Sequence, residues 1–217
     1  MQKQIDHKQA QKTCFDYYED IHQQYLDDFS DELEKKPYDQ DFLTRFIGKL
    51  PKNDHILDIG SCSTAQQARF FRDKGFKVTS IDLSTKCIET AKKNFPGINF
   101  FQMDMLEMTF KDAMFDAINA SYSIIHIPDE KLDGLFSDFN RLLKPKGKIA
   151  ISVHAGDFYG YFDVDGTGVF FRTFTQEELK TLLKNYGFKL LEIDQRQPIY
   201  DFEFQSERIY LIAEKIN

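Results

Sequence analysis

The pattern of apolar and polar positions divides the chain near residue 50. Before that point, apolar and aromatic residues recur every three or four positions, which predicts one helix broken by Pro37 and a shorter one ended by Pro51. The face of the first helix consists of Phe15, Tyr18, His22, Tyr25, Phe29 and Leu33. That of the second consists of Phe42, Phe46 and Leu50. We expect residues 1–50 to form a helical extension or lid on a domain that spans residues 51–217.

Beyond residue 50, short apolar runs alternate with helical segments. The runs predict strands over residues 55–59, 76–81, 98–102, 115–120 and 148–153. The intervening segments predict helices over residues 64–74 and 129–143, and a third that Ser84 caps and that extends to Phe95. Strands that alternate with helices form parallel sheets covered by helices on both faces.

The end of the chain departs from this alternation. A helix capped near Thr175 extends to Tyr186, and two apolar runs follow, over residues 188–194 and 208–213. No helical segment separates the two runs, so they must pair as an antiparallel hairpin. The fold class expected is α/β, with a mostly parallel sheet that contains one antiparallel strand near the C-terminus.

Residues 155–174 fit neither a helix nor a plain strand, because glycines and aromatic residues are mixed along them without a regular period. This segment leaves the carboxyl end of the fifth predicted strand. Ligands of open α/β sheets bind at that edge. We therefore expect residues 155–174 to be an insertion on the substrate side.

Composition narrows the function classes. The chain has 217 residues and a net charge of −7, which argues against nucleic acid or an anionic membrane as the main partner. Its three cysteines include no C-x-x-C pair, and no convincing metal-ligand cluster is visible. The N-terminal residues do not resemble a signal peptide, and no apolar run is long enough to span a membrane. A soluble, cytoplasmic protein is expected.

Three carboxylates are spaced along the predicted sheet edge. Asp58 lies within the first strand and precedes Gly60, whose turn leads into a helix that offers free N–H groups to a ligand. Asp82 lies 22 residues after Gly60, the offset typical of a carboxylate that accepts hydrogen bonds from a ribose. Asp104 lies 22 residues further on, where a carboxylate can accept from the exocyclic amine of a purine. A helix cap or a solvated loop is the structural alternative for Asp82 and Asp104.

Together these segments resemble the class I S-adenosylmethionine-dependent methyltransferases, small-molecule type. HILDIGSCST is similar to the first motif of that family, SIDLS to the acidic second motif, and QMDM to the adenine-binding loop. FDAINASYSIIHIP resembles the fourth-strand motif, and RLLKPKGKIAIS the turn into the fifth strand. The resemblance extends from about Pro51 to the C-terminus. It implies a three-layer, Rossmann-like sheet and a methyltransferase that acts on a small-molecule acceptor by in-line transfer.

The resemblance also implies a set of site residues. The cofactor, S-adenosylmethionine, is expected to contact Tyr25, Asp58, Gly60, Ser61, Cys62, Asp82, Leu83, Asp104, Met105 and Ser121. His126 and His154 follow predicted strands at the ligand edge and are candidate bases, although a histidine with apolar neighbours is often structural. Arg172 is a candidate partner for a carboxylate on the acceptor. Tyr18 on the first helix can lie near the sulfonium or pack in the core.

The first motif departs from the family pattern and leaves two alternatives open. Cys62 and Thr64 occupy positions where the family usually has glycine. A binding protein with a degenerate site is one alternative. A nicotinamide-dependent oxidoreductase is another, but it is disfavoured because a pyrophosphate needs close approach to the turn. The proline pair typical of enzymes that methylate planar amino groups is absent after Asn119, which disfavours that substrate class.

Overall fold

The computed structural model describes residues 5–164 and 166–216, which contain a seven-stranded sheet. Its strands are β1 His55–Ile59, β2 Lys77–Asp82, β3 Asn99–Gln102, β4 Phe115–Ser121, β5 Leu143–His154, β8 Phe188–Arg196 and β9 Arg208–Lys215. Their order across the sheet is β3-β2-β1-β4-β5-β9-β8. The covering helices are α3 Gln66–Asp73, α4 Thr85–Asn94, α5 Asp129–Leu142 and α6 Gln176–Asn185. Each of the seven predicted runs corresponds to one of these strands.

The pairing of the strands confirms the predicted fold class. β1 is parallel to β2 and β4, and β4 is parallel to β5. β9 is antiparallel to both β5 and β8, which makes it the one reversed strand of this sheet. Because β1, β2 and β4 run the same way, the turns that follow them meet at one edge of the sheet.

Caps predicted from sequence begin two of the helices. The Ser84 hydroxyl accepts from the N–H of Cys87 at the start of α4, and Thr175 accepts from Glu178 at the start of α6. These bonds satisfy N–H groups that have no partner within the helix. A serine or threonine just before an apolar helical period was therefore a reliable local signal.

The N-terminal segment forms α1 over His7–Phe29 and α2 over Pro37–Ile47. A short 3₁₀ turn, Leu33–Lys35, separates the two, so α1 ends earlier than the aromatic spacing suggested. Pro37 occupies the first turn of α2, where a residue without an N–H is well tolerated. α1 packs against α4 and also against the insertion after β5. The division of the chain at residue 50 remains a prediction.

The insertion after β5 is more regular than the sequence suggested. It contains a hairpin of β6 Tyr159–Val164 and β7 Thr167–Arg172, which forms a second, two-stranded sheet. The prediction that this segment is irregular was wrong, because alternation was masked by aromatic residues on both faces. Val169 and Phe170 of β7 are buried against Ala10 and Cys14 of α1. The hairpin therefore supports α1 above the sheet.

A buried charge network joins α2 to the strands near the C-terminus. The Arg196 guanidinium contacts the carboxylates of Asp39 and Glu203 and donates to the Tyr210 hydroxyl at 2.7 Å. Removing one partner of a buried ion pair destabilises the protein, because the other charge is left buried without a partner. The network thus fixes α2 beside the carboxyl edge of the sheet. No helix among the described residues is long and apolar enough to cross a membrane.

Candidate active site

A cavity lies between α1 and the turns that follow β1, β2 and β4. Residues of α1 form one wall, and residues after the parallel strands form the other. Ten of the residues predicted from sequence line this cavity: Tyr25, Gly60, Ser61, Cys62, Asp82, Leu83, Asp104, Met105, Ser121 and His126. Asp58, His154 and Arg172 are not in its lining.

The turn after β1 needs glycine at its first position. Gly60 has φ +79°, and a Cβ there would lie 2.5 Å from the Cβ of Ser123. Cys62 adopts a left-handed conformation as well, with φ 49°. Glycine is the usual residue for such a backbone conformation. The turn therefore keeps this conformation at Cys62, although the residue type differs from that of the family.

Two buried hydroxyls in this wall have no partner within the described residues. They are Ser61 Oγ and Ser123 Oγ, and both side chains line the cavity. A buried polar atom without a hydrogen bond costs about 1–3 kcal/mol, so a ligand with polar groups is expected beside them. Ser123 was missed from sequence because its only signal is its place just past the end of β4.

Asp82 is positioned by two backbone N–H groups. Its Oδ2 accepts from Cys62 N at 2.8 Å, and its Oδ1 accepts from Ser84 N at 2.9 Å. Burial raises the pKa of this carboxyl, and the N–H bonds act in the opposite direction. The carboxylate therefore lies fixed in the cavity wall at the end of β2, where the remaining lone pairs can accept from a ligand.

Two polar residues of α1 reach across to the sheet edge. The Gln11 side-chain amide donates to Asp104, whose other oxygen accepts from Leu106 N at 2.8 Å. The Glu19 carboxylate accepts from Ser84 Oγ at 2.6 Å and from Lys86 N at 3.2 Å. Helical spacing could not identify either contact, because it shows which face is apolar but not what lies opposite.

Tyr18 and His126 form a hydrogen-bonded pair in the cavity wall. His126 Nδ1 donates to the Phe170 carbonyl at 2.8 Å, and the Tyr18 hydroxyl lies 3.2 Å from Nε2. Burial lowers the pKa of His126, which favours the neutral ring. Since Nδ1 carries the proton, Nε2 accepts from the Tyr18 hydroxyl. The ring of Tyr25 packs edge-on against Tyr18, with centroids 6.0 Å apart.

Asp58 lies beneath the cavity rather than in its wall. Its carboxylate accepts from Asn119 Nδ2 at 2.7 Å and from Ser80 Oγ at 3.0 Å. Burial raises the pKa of Asp58 to about 6. These side chains come from the two strands that flank β1. Asp58 therefore joins three strands and lies outside the lining of the cavity.

Arg172 is also outside the cavity. Its buried guanidinium pairs with Asp129 and Glu178 and lies 4.0 Å from the centroid of the Phe174 ring. Both carboxylates come from the first turns of α5 and α6. The idea that Arg172 meets an acceptor carboxylate finds no support here, because its donors already join the hairpin to two helices.

His154 lies at the end of β5, behind Tyr122, with ring centroids 5.2 Å apart. Its Nδ1 is 2.6 Å from Ser206 Oγ. Burial, together with the charge of Arg208, lowers the pKa of His154 to about 3. The ring is neutral in the folded protein, and its position away from the cavity favours packing over proton transfer.

The lowered pKa of His154 makes folding stability depend on pH. The unfolded chain takes up a proton near pH 6.5 that the folded chain does not, so stability is complete above that pH and is lost as pH falls toward 3. Between pH 6.5 and pH 5 this group should lower the free energy of unfolding by about 1.5 kcal/mol. Denaturant unfolding of wild type and His154→Gln should be measured at both pH values. The fall in unfolding free energy from pH 6.5 to pH 5 should be larger in wild type by that amount. An equal pH response in the two proteins would contradict the assignment.

Comparison with known proteins agrees with this geometry. Residues 31–193 match a family model described as a methyltransferase domain. YqeM of Bacillus subtilis strain 168, which is named as a methyltransferase, is 27% identical over 90% of this chain and 97% of its own.

Two solved structures share the fold. The 1,6-didemethyltoxoflavin-N1-methyltransferase of Burkholderia thailandensis, solved with its substrate and S-adenosylhomocysteine, has a TM-score of 0.78 and 18% identity over 100% of this chain and 93% of that one. The N-methyltransferase NodS of Bradyrhizobium japonicum WM9 was solved with S-adenosylhomocysteine. It has a TM-score of 0.68 and 17% identity over 94% of this chain and 100% of that one.

The residues of the cavity fit an adenosyl cofactor. A fixed carboxylate ends β2, and a second one follows β3. Two hydroxyls that have no partner in the described part of the chain lie beside a turn that excludes a Cβ at Gly60. The family model covers most of the chain. The chain therefore belongs to this methyltransferase-domain family and is an S-adenosylmethionine-dependent methyltransferase.

Proposed function

We propose that the enzyme methylates a small-molecule acceptor by in-line transfer. The observation that carries the proposal is the position of the cavity between α1 and the sheet edge. α1 is held there by Gln11, by Glu19 and by the hairpin after β5. A polymer would have to displace this helix, whereas a small molecule fits beside it. The net charge of −7 also disfavours a polyanionic acceptor.

The names of similar proteins support this acceptor class. The Burkholderia thailandensis protein acts on 1,6-didemethyltoxoflavin, a small molecule. A relative in Pyrenophora dematioidea, 29% identical over 67% of this chain, is named an O-methyltransferase. The first name favours a small acceptor, and the second states only that an oxygen atom is methylated.

The cavity residues divide into binding groups with different tasks. S-adenosylmethionine supplies a methyl group that its positively charged sulfur has already activated. Asp82 would accept from the ribose hydroxyls, and Asp104 would accept from the adenine amine. Ser61 and Ser123 would hold the amino-acid end, while the rings of Tyr18 and Tyr25 would stabilise positive charge by about 0.5–2 kcal/mol. The protein thus mainly aligns the reacting groups, which can supply about 7–11 kcal/mol.

Tyr18 and His126 offer a route for a proton that the acceptor must lose. Nε2 of the neutral His126 accepts from the Tyr18 hydroxyl, and the Phe170 carbonyl fixes the tautomer. An acceptor O–H or N–H can pass its proton to Tyr18 while Tyr18 passes its own to His126. The arrangement favours an acceptor whose nucleophilic atom carries a proton.

Isotope transfer tests the acceptor class. The enzyme is incubated with methyl-tritiated S-adenosylmethionine and a cell extract separated by ultrafiltration into small-molecule and macromolecular fractions. We expect label to accumulate in the small-molecule fraction. Label that enters only protein or nucleic acid would contradict the proposal.

The Tyr18–His126 pair can then be tested with the acceptor so identified. His126→Gln and Tyr18→Phe should each lower kcat by about 100-fold or more, with unchanged affinity for S-adenosylhomocysteine. Because the pKa of His126 is lowered by burial, the acid limb of the wild-type rate profile should lie below pH 6.5. An acid limb above that pH, or variants with wild-type kcat, would remove the pair from the mechanism.

Gln11 should weaken cofactor binding in the wild-type enzyme. Its amide donates to the same Asp104 carboxylate that the adenine amine needs, so the two compete. Removing one such bond with Gln11→Ala should raise the affinity for S-adenosylhomocysteine about three- to tenfold by calorimetry. Gln23→Ala is the matched control, because Gln23 lies on α1 but bonds Asp27 instead. Weaker binding by Gln11→Ala alone would mean that Gln11 holds the cofactor.

A further inference from the structure

Two cysteine thiols meet at the wall of the cofactor cavity. Cys62 Sγ, in the turn after β1, lies 3.5 Å from Cys87 Sγ, in the first turn of α4. Both side chains are buried, and Cys62 lines the cavity. A disulfide has an S–S distance of about 2.05 Å, so a movement of roughly 1.5 Å would bring these atoms to bonding distance.

The two partners differ in how firmly their backbones are held. Cys87 lies within α4, and its N–H donates to the Ser84 cap at 3.0 Å. Cys62 lies in a turn with left-handed backbone, and its N–H donates to Asp82 at 2.8 Å. Closure of a bond between them would therefore displace the turn rather than the helix. The N–H of Cys62 would move away from the carboxylate that it positions.

The thiol of Cys87 has a second contact that oxidation would remove. It donates to the Tyr18 carbonyl of α1 at 3.5 Å. A disulfide sulfur carries no proton and cannot make this bond. Oxidation would thus disturb both walls of the cavity, the turn after β1 through Cys62 and α1 through Cys87.

We infer that Cys62 and Cys87 form a reversible disulfide that weakens cofactor binding by displacing the turn after β1. The two thiols lose two protons and two electrons to an oxidant: a diazene, which becomes a hydrazine, or hydrogen peroxide, which becomes two water molecules. One S–S bond forms and two S–H bonds break. A dithiol such as dithiothreitol reverses the step by thiol–disulfide exchange. The inference rests on the cofactor contacts proposed above and adds redox control to them.

Diamide treatment followed by calorimetry tests the inference. The reduced protein is treated with diamide, the excess is removed, and binding of S-adenosylhomocysteine is measured before treatment, after it, and after dithiothreitol. Peptide mapping should show Cys62 linked to Cys87. We expect affinity to fall at least about tenfold on oxidation and to return on reduction. Saturating S-adenosylhomocysteine should slow the oxidation, because Cys62 faces the cavity.

Two variants distinguish the effect of a disulfide between Cys62 and Cys87 from the oxidation of other thiols. Cys14 is also buried, but its thiol contacts the Phe170 carbonyl instead of another cysteine. Cys14→Ser should therefore respond to diamide as wild type does. Cys87→Ser should bind S-adenosylhomocysteine equally before and after diamide.

The outcomes also distinguish this inference from the cofactor site itself. Absence of the linked peptide after diamide, or a linked peptide with unchanged affinity, would overturn the redox inference alone. Failure of the reduced wild-type protein to bind S-adenosylhomocysteine would overturn the cofactor contacts and the inference together.

Discussion

Asp82→Ala is expected to weaken the binding of S-adenosylhomocysteine at least about 100-fold, because hydrogen bonds to a charged group contribute roughly 1.5–3 kcal/mol each. The carboxylate is already positioned by the N–H groups of Cys62 and Ser84, so little is lost in ordering it when the ribose binds. Calorimetry measures the change. The variant also leaves two N–H groups without their acceptor, which should make the turn after β1 less rigid.

Two further variants distinguish the loss of a cofactor contact from a loss of folding. Asp82→Asn keeps the size of the side chain and one acceptor oxygen, and it should fall between wild type and Asp82→Ala. Asp112→Ala changes a largely exposed carboxylate and should bind as wild type does. Asp82→Ala with wild-type affinity and a wild-type melting temperature would remove Asp82 from the site.

Gly60→Ala is expected to lower methyltransferase activity about 100-fold, the scale of a displacement of roughly 1 Å in a catalytic site. The added Cβ would lie 2.5 Å from the Cβ of Ser123, so the turn or the end of β4 must move. The turn contains Ser61, and Ser123 lies just past β4; both residues line the cavity and have hydroxyls without a partner among the described residues. The measurements are the activity in the isotope assay and the affinity for S-adenosylhomocysteine, which should fall at least about tenfold.

Gly75→Ala provides a matched control for the backbone conformation. Gly75 has φ +89°, but a Cβ there would meet nothing within 4 Å. Both variants should lose about 1–2 kcal/mol of stability from a left-handed alanine. Only Gly60→Ala should also lose activity. An equal loss of activity in both would show that general destabilisation, rather than crowding beside Ser123, is responsible.

Sequence predicted those parts of the fold that depend on local period and on caps. β1 was predicted with the observed bounds, and Ser84 and Thr175 were identified as caps, because these signals lie within a few residues of the element they specify. The reversed strand near the C-terminus followed from the missing crossover helix. The hairpin after β5 was not predicted, because aromatic residues on both of its faces conceal the two-residue period.

The sequence predicted which strand ends converge to form the site, but not which side chains line the cavity. Asp58 and Asp82 were both assigned to the cofactor from sequence, yet Asp58 bonds Asn119 and Ser80 beneath the cavity. Arg172 was assigned to a carboxylate on the acceptor, yet it pairs with Asp129, 43 residues away, and with Glu178, six residues away. Gln11 was missed because its partner, Asp104, lies 93 residues away, and Ser123 because its only signal is its place just past the end of β4. Such pairings depend on tertiary packing, which one sequence without its fold does not specify.

Titration calorimetry of the reduced wild-type protein with S-adenosylhomocysteine and with NAD tests the central claim most directly. The fixed Asp82, the Asp104 carboxylate and the crowded Gly60 turn favour an adenosyl ligand without a pyrophosphate. We predict one tight site for S-adenosylhomocysteine and no measurable heat with NAD. Tight binding of NAD together with no response to S-adenosylhomocysteine would contradict the assignment.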